Sequence, residues 1–344
     1  MNQAVGGDHG LKIFVTGGAG YIGSILVREL IRRGYDVTVL DLMLFGDSSV
    51  KDIVGEKRVS IVKADVRSYE PSILRGHDAV VDLAAISQPD PQRVVDEKLF
   101  YEINCYAPIR TANLAAKHGV ERYIFTSTCS VYGFQEKVVN EDSPPNPLEL
   151  YAETKYMAEK GILNVKGITR TILRLATVYG LSPKMRFDLV VNAMTLTLFK
   201  EGRIRVGRPG EQKRPVVHVA DVVEAVIKVL EAPRDFVDGE VFNVGSNDQN
   251  YRVIDLAYEI FKALGKEPAI EFYGEPDTRS YIVDFTKISR VLGFRCRYRV
   301  ADGAREIYRA LEEGAVRDEP WTKVISWWRK LQNEGVVKLT GVSI

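Results

Sequence analysis

The chain has 344 residues, of which 45% are hydrophobic and 27% charged, and its 47 basic and 46 acidic residues leave a formal net charge of +1. This composition is that of an ordinary globular protein, and because no block of like charges occurs, no nucleic-acid partner is expected. The length exceeds that of one minimal domain and predicts a large α/β domain with a smaller second part.

Hydrophobicity and cysteine content exclude further classes of protein. No apolar run reaches the roughly 18 residues that a membrane helix needs, so no membrane association is expected. Three widely spaced cysteines, Cys105, Cys129 and Cys296, fit neither a disulfide framework nor a zinc site, and the four histidines show no metal spacing. A cytoplasmic protein without a metal is therefore expected, with residues 1–10 as a disordered tail.

Short hydrophobic runs alternate with longer helical patterns in the first half of the chain. Residues 11–15 predict a buried strand, and apolar side chains at helical spacing between Tyr21 and Arg33 predict a helix that ends at Gly34. Further strands are predicted at 36–40, 59–63, 79–82, 123–127 and 171–175, and helices near 97–118 and 151–165. The alternation predicts an α/β fold with a Rossmann-type, doubly wound parallel sheet over residues 11–180.

After residue 180 short hydrophobic runs and helical patterns alternate less regularly. A helix is predicted over 187–200, a segment rich in glycine, arginine and proline covers 202–215, and a late helix is predicted over 321–332. We expect residues 181–344 to form mainly a smaller C-terminal substrate-binding part, with some segments returning to the Rossmann sheet.

A glycine-rich segment joins the first predicted strand to the first predicted helix. Residues 16–23 read TGGAGYIG and match both G-x-G-x-x-G and G-x-x-G-x-x-G. Glycine permits a tight turn, a close approach of the backbone to a pyrophosphate, and close packing of the helix on the sheet. The free N–H groups at the start of the helix attract an anion. The segment therefore predicts a dinucleotide site.

An acidic residue, Asp41, follows the second predicted strand. A carboxylate at this place accepts hydrogen bonds from the adenosine ribose diol and repels a 2′-phosphate. Because no arginine follows directly to receive that phosphate, the sequence favours NAD over NADP as the cofactor. The alternative is a solvated turn residue.

Tyr151 and Lys155 place a phenol and an ammonium four residues apart, on one face of a predicted helix. Free tyrosine has a pKa of about 10, too high for a base at neutral pH. A nearby ammonium and a positive nicotinamide ring would favour the phenolate and lower that pKa. Another strand ends in TSTCSVYG, residues 126–133, where one hydroxyl is expected to contact a reacting oxygen, unless it only caps the next turn.

Seven segments together resemble one family, the extended short-chain dehydrogenases, and within it the NAD-dependent nucleotide-sugar epimerases and dehydratases. In chain order they are TGGAGYIG, LAAIS, TSTCSVYG, YAETK, RLATVYG, RPVVHVAD and DTRSYIVDFTKISRVLGF. The resemblance covers nearly the full chain. It implies an enzyme with NAD as cofactor and a nucleotide-diphosphate sugar as substrate.

The resemblance implies an NAD site built mainly from the first half. The pyrophosphate, ribose and adenine contacts, with their supporting residues, are implied at Gly17, Gly20, Tyr21, Ile22, Gly23, Asp41, Asp65, Val66, Leu83, Ala84, Ala85 and Asn104. Tyr151 and Lys155 complete this set, and Lys155 is implied to bind the nicotinamide ribose.

The resemblance also implies the catalytic roles. Thr128 would hydrogen-bond the reacting oxygen of the sugar, Tyr151 would be the acid/base, and Lys155 its electrostatic partner. Paired arginines suit a diphosphate because a guanidinium can bind phosphate oxygens bidentately. The implied substrate contacts are Ser87, Thr128, Cys129, Ser130, Thr177, Asn192, Arg214 and Arg279.

The residues after Thr128 favour one reaction. Family members that eliminate water across C5 and C6 usually carry Asp-Glu there, whereas this chain has Cys129 and Ser130. A 4-epimerase needs no further acid or base, since the keto sugar turns and hydride returns to its other face. We expect an NAD-dependent 4-epimerase. The alternative is a dehydratase or C4 oxidoreductase in which the Cys129 thiol is an acid/base.

Two departures from the family pattern are Asp82, in place of a histidine, and Thr177, in place of an asparagine; both are expected near the substrate side of the site. The resemblance further implies a homodimer formed through the helices of 97–118 and 151–165. Its apolar surface would come from residues that could equally face the sheet, namely Ile103, Ile109, Leu114, Tyr156, Ile162 and Leu163.

Overall fold

The computed structural model describes residues 10–87, 95–277, 279–338 and 341–342, so the predicted tail lies almost wholly outside the described chain. The strands are β1 Lys12–Thr16, β2 Asp36–Asp41, β3 Val59–Lys63, β4 Ala79–Asp82, β5 Arg122–Thr128, β6 Phe134–Val139, β7 Thr169–Leu175, β8 Thr177–Tyr179, β9 Ile204–Gly207, β10 Lys213–His218, β11 Glu240–Val244, β12 Asn250–Arg252, β13 Ile270–Tyr273, β14 Ser280–Val283, β15 Val337–Lys338 and β16 Gly341–Val342.

The helices alternate with these strands. They are α1 Gly23–Arg32, α2 Glu97–Tyr101, α3 Ala107–Lys117, α4 Leu150–Leu163, α5 Val190–Glu201, α6 Val219–Glu231, α7 Val253–Leu264, α8 Thr286–Leu292, α9 Val300–Glu312 and α10 Val324–Asn333, and a π-helical turn, Glu102–Tyr106, joins α2 to α3. Within the described ranges, none of them is long and apolar enough to cross a membrane.

A seven-stranded sheet has the order β11-β7-β5-β4-β1-β2-β3, and every neighbouring pair in it is parallel. The chain runs outward from β1 to β3 and then returns to place β4 on the other side of β1. In such sheets the ligand crevice opens at the carboxyl ends of the strands where the order reverses. The predicted Rossmann-type sheet is confirmed, and the reversal between β1 and β4 positions the site.

Helices cover both faces of the sheet, as a buried parallel sheet requires. On one face Leu26 and Leu30 of α1 pack in the same fully buried cluster as Val226 of α6. On the other face Ala112 of α3 and Ala158 of α4 pack in a second cluster. Burial of each large aliphatic side chain contributes about 1.5–3 kcal/mol, so these clusters hold the strand ends in fixed positions.

Helix boundaries differ from the predictions where local chemistry intervenes. The helix predicted over 97–118 contains the π turn just before Pro108, whose missing N–H and bulky ring do not fit regular α-helical bonding. The helix predicted over 187–200 starts only at Val190, because the backbone of Leu189 is extended, with a ψ of 139°, and the Phe187 N–H donates to the Thr322 carbonyl at 2.8 Å. The late helix starts at Val324, after a 3₁₀ turn at Pro320–Thr322.

The second half builds smaller sheets beside the main one. Strand β10 lies between β8 and β12, β9 pairs with β13, and β6 pairs with β14. A third buried cluster, which includes Val216 of β10 and Ile260 of α7, holds these elements together. Strand β11 leaves this region and joins the edge of the seven-stranded sheet beside β7.

Helices α3 and α4 pack closely on one another. A Cβ atom on Gly161 would approach Ile109 Cδ1 to 2.3 Å, so glycine at this position sets the helix separation. Of the apolar residues predicted for a dimer surface, Ile103 and Ile162 are buried within the chain, and the other four are half-buried. The face of the helix pair therefore offers less apolar surface than the sequence suggested.

Candidate active site

One cleft of about 580 Å³ opens at the carboxyl ends of the central strands, with walls from both halves of the chain. The predicted residues that line it are Gly17, Gly20, Tyr21, Ile22, Gly23, Leu83, Ala85, Ser87, Thr128, Ser130, Tyr151, Lys155, Thr177, Arg214 and Arg279. The remaining predicted residues are not part of its lining and are Asp41, Asp65, Val66, Ala84, Asn104, Cys129 and Asn192.

The glycine turn has no room for side chains. Gly17 has a φ of +67°, and a Cβ there would approach the Ala84 nitrogen to 2.8 Å. A Cβ on Gly23 would approach the Gly17 carbonyl oxygen to 2.3 Å, so α1 can start this close only with glycine. Helix α1 has neither a side-chain cap nor an acidic residue in its first turn. The N–H groups of Ser24, Ile25 and Leu26 bond carbonyls of the turn, so the first N–H of the helix, at Gly23, is the one that would meet an anion. These residues fit a pyrophosphate.

Asp41 braces the glycine turn from the end of β2. One carboxylate oxygen accepts from the Ala19 N–H at 3.1 Å, and the other accepts from the Met43 N–H at 2.8 Å. Burial raises the pKa of this carboxyl. Each carboxylate oxygen can accept a second hydrogen bond, so this bracing is compatible with the predicted contact to a ribose diol.

Asn104 holds the segment after β4 in place. Its side-chain oxygen accepts from the Ile86 N–H at 2.8 Å, and its side-chain nitrogen donates to the Ile86 carbonyl at 3.0 Å. The residue is fully buried within the π turn, a structure that is frequent at functional sites. This geometry suits the supporting role that was predicted for Asn104.

Asp65 and Val66 lie beyond the end of β3 and are not brought to the cleft. The Arg67 guanidinium binds the Asp65 carboxylate through its Nε and Nη2, with distances from 2.7 to 3.1 Å. The same guanidinium reaches Glu102 at 2.7 Å, and these side chains border a separate surface groove. Their contact with adenine stays a prediction.

Thr128 combines two roles at the end of β5. Its hydroxyl oxygen accepts from the Ser130 N–H at 3.0 Å and so caps the 3₁₀ turn Cys129–Tyr132. The same side chain lines the cleft. Capping uses a lone pair of the oxygen and leaves the hydroxyl proton for an acceptor in the cleft. Capping the turn and contacting a reacting oxygen are therefore compatible.

Two predicted substrate residues lie behind the cleft wall. The Cys129 thiol donates to the Arg174 carbonyl at 3.3 Å, and burial raises its pKa. The Asn192 side chain accepts from the Gly180 N–H at 3.0 Å and donates to the Arg186 carbonyl at 2.9 Å. The structure does not bring either residue to the cleft, because both are buried in bonds to the backbone.

Tyr151 and Lys155 both face the cleft from α4. Burial raises the pKa of Tyr151 to about 12, and the positive charge of Arg186 opposes this rise. Burial lowers the pKa of Lys155 to about 8, and its Nζ lies 3.9 Å from the centroid of the Phe125 ring. In the chain alone the charge of Arg186 lowers the pKa of the tyrosine, and the electrostatic role of Lys155 stays a prediction.

Asp82 does not lie on the substrate side, contrary to expectation. It is 3% exposed, and its carboxylate accepts from the Thr16 hydroxyl at 2.7 Å and from the Tyr123 hydroxyl. Side chains two residues apart on a strand share a face, so Asp82 follows the buried Val80 into the space under α4. Thr177, by contrast, lines the cleft.

Arg214 and Arg279 are fixed on the wall that the second half supplies. Arg279 binds both Asp277 carboxylate oxygens, at 2.9 and 2.7 Å, and reaches Glu149 at 2.6 Å. Arg214 donates to the same Asp277 at 2.8 Å. Burial alone would raise the pKa of Asp277, but the two guanidinium groups hold it at about 2. The network preorganises both arginines at the cleft wall.

Sequence reasoning missed a charged segment that follows β8. Lys184, Arg186 and Asp188 all line the cleft. Arg186 binds Asp188 through Nε and Nη2 at 3.0 and 2.9 Å, and its Nη1 donates to the Ser87 hydroxyl at 2.6 Å. The signal that could have indicated this wall is KMRFD, residues 184–188, a run of charged and apolar residues shortly after the end of β8.

The C-terminal region supplies another wall that the sequence did not reveal. The Trp327 indole N–H donates to the Leu44 carbonyl at 2.6 Å and so ties α10 to the loop after β2. The aromatic content of α10 indicated a buried face, but no local signal indicates which distant loop that face covers. The lining residues from this region and its partner loop are Phe45, Trp321, Val324 and Trp328.

Comparison with known proteins assigns the chain to a family. Residues 13–245 match the model of the NAD dependent epimerase/dehydratase family, which is more than half of the chain. The chain belongs to this family. The predicted family, enzyme class and NAD dependence are thereby confirmed.

Individual relatives align over most of their length. The UDP-glucose 4-epimerase of Lactobacillus helveticus is 29% identical over 318 residues, which cover 85% of this chain and 94% of that protein. The dTDP-glucose 4,6-dehydratase of Streptomyces niveus is 26% identical over 347 residues, 94% and 96% of the two chains. A solved complex of MoeE5 with UDP-glucuronic acid and NAD has a TM-score of 0.77 at 26% identity, covering 88% of this chain and 99% of that one.

Proposed function

We propose that this chain is a nucleotide-sugar 4-epimerase that holds its NAD throughout the reaction. The observation that carries the proposal is the shared cleft: the hydroxyl groups of Thr128 and Tyr151 line the same space as the glycine turn at Gly17 and Gly20. A sugar alcohol placed between the two hydroxyls would lie beside the dinucleotide. The proposed substrate is a UDP-sugar, because three relatives that align with 83–85% of this chain are named UDP-glucose 4-epimerase.

Tyr151 moves the proton in this mechanism. As the phenolate, it removes the proton of the C4 hydroxyl, and Thr128 orients that hydroxyl by a hydrogen bond. When bound, NAD supplies the hydride acceptor and a positive ring charge that favours the phenolate. After the keto sugar has turned, Tyr151 returns the proton to the C4 oxygen. Burial of Tyr151 in the chain alone keeps the proton on the phenol, so the base forms only in the loaded site.

The carboxylates of the described cleft lining support epimerisation over elimination. Three carboxylates occur there, and each is bound by arginine: Glu149 by Arg279, Asp188 by Arg186, and Asp277 by two arginines. Elimination of water across C5 and C6 needs an acid and a base in addition to the tyrosine. The two arginines that bind Asp277 keep its pKa at about 2, which makes it a poor base, whereas burial raises the pKa of Glu149 and Arg279 opposes that rise.

The second half of the chain would hold the diphosphate. Arg214 and Arg279 lie on one wall, and a guanidinium suits phosphate oxygens by both charge and geometry. The phosphates would have to compete with Asp277 and Glu149 for these donors. We therefore assign substrate binding mainly to residues 181–344 and NAD binding to residues 11–180. Asp65 and Val66 would lie beside the adenine of NAD.

Elimination is the second candidate function, because a 4,6-dehydratase matches 94% of this chain. In this alternative Cys129 was the expected acid/base. Its thiol is 1% exposed and bonded to a backbone carbonyl, so it has no path to the sugar. The dehydratase alternative thus requires an acid and a base that differ from the residues proposed for it.

We also infer a cytoplasmic homodimer. The two stacked rings of Tyr101 and Tyr106 lie on the outer side of the helix pair, with Tyr106 58% exposed, and offer an aromatic contact to a second copy. Three free cysteines fit a reducing compartment. Light scattering of the purified chain should give twice the mass of 38.6 kDa, and a monomer at micromolar concentration would contradict the dimer.

Product analysis in heavy water tests the function. The purified protein is incubated in D₂O with UDP-, GDP-, CDP- and dTDP-sugars, and the products are read by NMR. The proposal predicts a C4 epimer from the UDP-sugar, no deuterium on carbon, and no accumulation of NADH. A 6-deoxy-4-keto sugar would indicate a dehydratase, and net NADH formation would indicate a C4 oxidoreductase; either result would contradict the proposal.

A further inference from the structure

The space under Lys155 contains a carboxylate that the proposed mechanism does not use. Asp82 and Phe125 are register partners on the adjacent strands β4 and β5, so their side chains leave the same face of the sheet. Lys155 reaches into this space from α4, with its Nζ 3.9 Å from the centroid of the Phe125 ring. An ammonium and a carboxylate therefore share one dry compartment between the sheet and α4.

Two hydroxyl groups contact the Asp82 carboxylate. The Thr16 hydroxyl accepts from the Ala84 N–H at 3.2 Å, so its own proton points to Asp82 at 2.7 Å. The Tyr123 hydroxyl shares its one proton between the other carboxylate oxygen and the Pro108 carbonyl, which lies 2.9 Å away. Burial raises the pKa of Asp82, and hydrogen bonds from Tyr123 and Thr16 oppose this rise.

Asp82 has no cation among its described side-chain partners, in contrast to the second carboxylate near Lys155. The other acidic group that acts on Lys155 is Glu159, one turn further along α4. Glu159 already forms an ion pair with Arg174 of β7, with Nη2 and Oε2 2.7 Å apart. The described hydrogen-bond partners of the Asp82 side chain are neutral. Its charge is therefore free to act on the lysine.

We propose that Asp82 is a positioning residue whose buried carboxylate keeps Lys155 charged and directed toward the dinucleotide side of the cleft. Burial opposes the charge of Lys155, because a fully buried ammonium loses its hydration. A carboxylate on the opposite wall of the compartment offsets this loss. The inference rests on the proposed function only in that Lys155 must be an ammonium to bind the dinucleotide and assist Tyr151.

Replacement of the carboxylate by its neutral isostere tests the inference. In Asp82→Asn the pKa of Lys155, which lies at about 8 in the native chain, should fall further, because the groups that still face it are Glu159, matched by Arg174, and the neutral phenol of Tyr151. The ammonium would then be lost at a lower pH. The alkaline limb of the kcat/KM profile should move down by about one pH unit.

Dinucleotide retention gives a readout that does not depend on the sugar. NAD that stays with the protein through gel filtration is measured at pH 7 and pH 9. The variant should release NAD at a lower pH than the native protein does. Asp78→Asn is the matched control, since Asp78 precedes the same strand and its described side-chain hydrogen bond is the one from the Lys12 N–H, at 2.7 Å. It should follow the native protein in both measurements.

A purely structural role for Asp82 would give a different result. Asp82→Asn would then lower the melting temperature and leave both pH dependences unchanged, and this outcome would overturn the proposal. If the variant does not fold, Tyr123→Phe replaces it, because it removes one donor to the carboxylate and keeps the charge. The alkaline limb of the kcat/KM profile of Tyr123→Phe should also move to lower pH, by less than that of Asp82→Asn. An unmoved limb would contradict the inference. NAD retention that shifts as expected in a protein without epimerase activity would refute the proposed function alone.

Discussion

The two walls of the cleft are built by different means. On the first-half wall the backbone determines the shape: Gly17 and Gly23 leave no space for a Cβ, and the turn leads directly into α1. On the second-half wall side chains determine the shape: Arg186, Arg214 and Arg279 are each fixed by a carboxylate. One wall depends on close packing, and the other depends on charge.

This difference predicts which substitutions and which changes in pH each wall should tolerate. A wall made of backbone is disturbed by one added methyl group. The glycine turn itself has no titrating group, so pH acts on this wall through Asp41 and Lys155. A wall made of ion pairs accepts small changes in size, but it weakens when a charge is removed or a carboxylate is protonated. The following variants test each expectation, and Tyr151, between the walls, is expected to give the largest effect.

Tyr151→Phe should reduce kcat by about 10²–10⁴-fold, because it removes the group that carries the proton. NAD content should stay at the native level, since the glycine turn is untouched. Epimer formation is followed by NMR and NAD by absorbance after denaturation. Tyr156→Phe, on the same helix but outside the cleft lining, is the matched control and should keep native activity. Full activity of Tyr151→Phe would remove this residue from the mechanism.

Gly23→Ala should lower NAD affinity by at least tenfold. The new Cβ would lie 2.3 Å from the Gly17 carbonyl oxygen, and relief of such a clash costs about 1–3 kcal/mol. The measurement is NAD bound per chain after purification. Gly207→Ala is the control, because nothing lies within 4 Å of its Cβ and the residue belongs to the other wall. Equal NAD content in both variants would show that the turn does not hold the dinucleotide.

Arg279→Gln should raise KM for the nucleotide sugar by about tenfold or more, since hydrogen bonds to charged groups contribute about 1.5–3 kcal/mol. NAD content should not change, which separates the two walls. Initial rates over a range of substrate concentrations give KM. Arg252→Ala, which removes an arginine paired with exposed Asp255 and Glu211 outside the cleft, should leave KM unchanged. An unchanged KM in Arg279→Gln would place the diphosphate elsewhere.

The ion-paired wall should also weaken in acid. Asp277 has a pKa of about 2 in the folded chain, below its ordinary value of about 4, so it stabilises the fold above pH 4 and this contribution is lost as pH falls toward 2. Urea unfolding between pH 5 and pH 2 should show a smaller loss of stability in Asp277→Asn than in the native protein. Asp255→Asn is the exposed control. Parallel curves for all three proteins would contradict the ion-pair account.

The smallest effect is expected at the C-terminal wall. Trp327→Phe keeps the aromatic packing of α10 and removes only the indole N–H bond to the Leu44 carbonyl. The free energy of unfolding should fall by about 1 kcal/mol, with activity nearly unchanged. Urea denaturation measures the change. A loss of NAD comparable to that in Gly23→Ala would show that this wall is needed for the dinucleotide.

The first-half wall was predictable from sequence because its signals are local. Glycines at fixed spacing between a strand and a helix indicate a turn that binds phosphate, and Tyr151 and Lys155 lie four residues apart on one helix. The order of short strands and helices likewise predicts a parallel sheet. In each case the signal is carried by residues that are close in sequence.

The second-half wall was not predictable to the same degree, because its contacts join distant segments. Arg279 is held by Glu149, 130 residues away, and Trp327 is bonded to Leu44, 283 residues away. The face of the sheet on which Asp82 lies follows from the strand's register, which the sequence alone did not fix. The burial of Cys129 depends on its packing against β7 in the same way.

The most direct test of the central claim follows the hydrogen atom at C4. A UDP-sugar carrying deuterium at C4 is epimerised by the native protein in ordinary water, and the product is read by NMR and mass spectrometry. If one cleft oxidises the sugar and reduces it again on the other face, the product keeps the deuterium at C4. Loss of the deuterium to solvent, or its appearance on another carbon, would contradict the account.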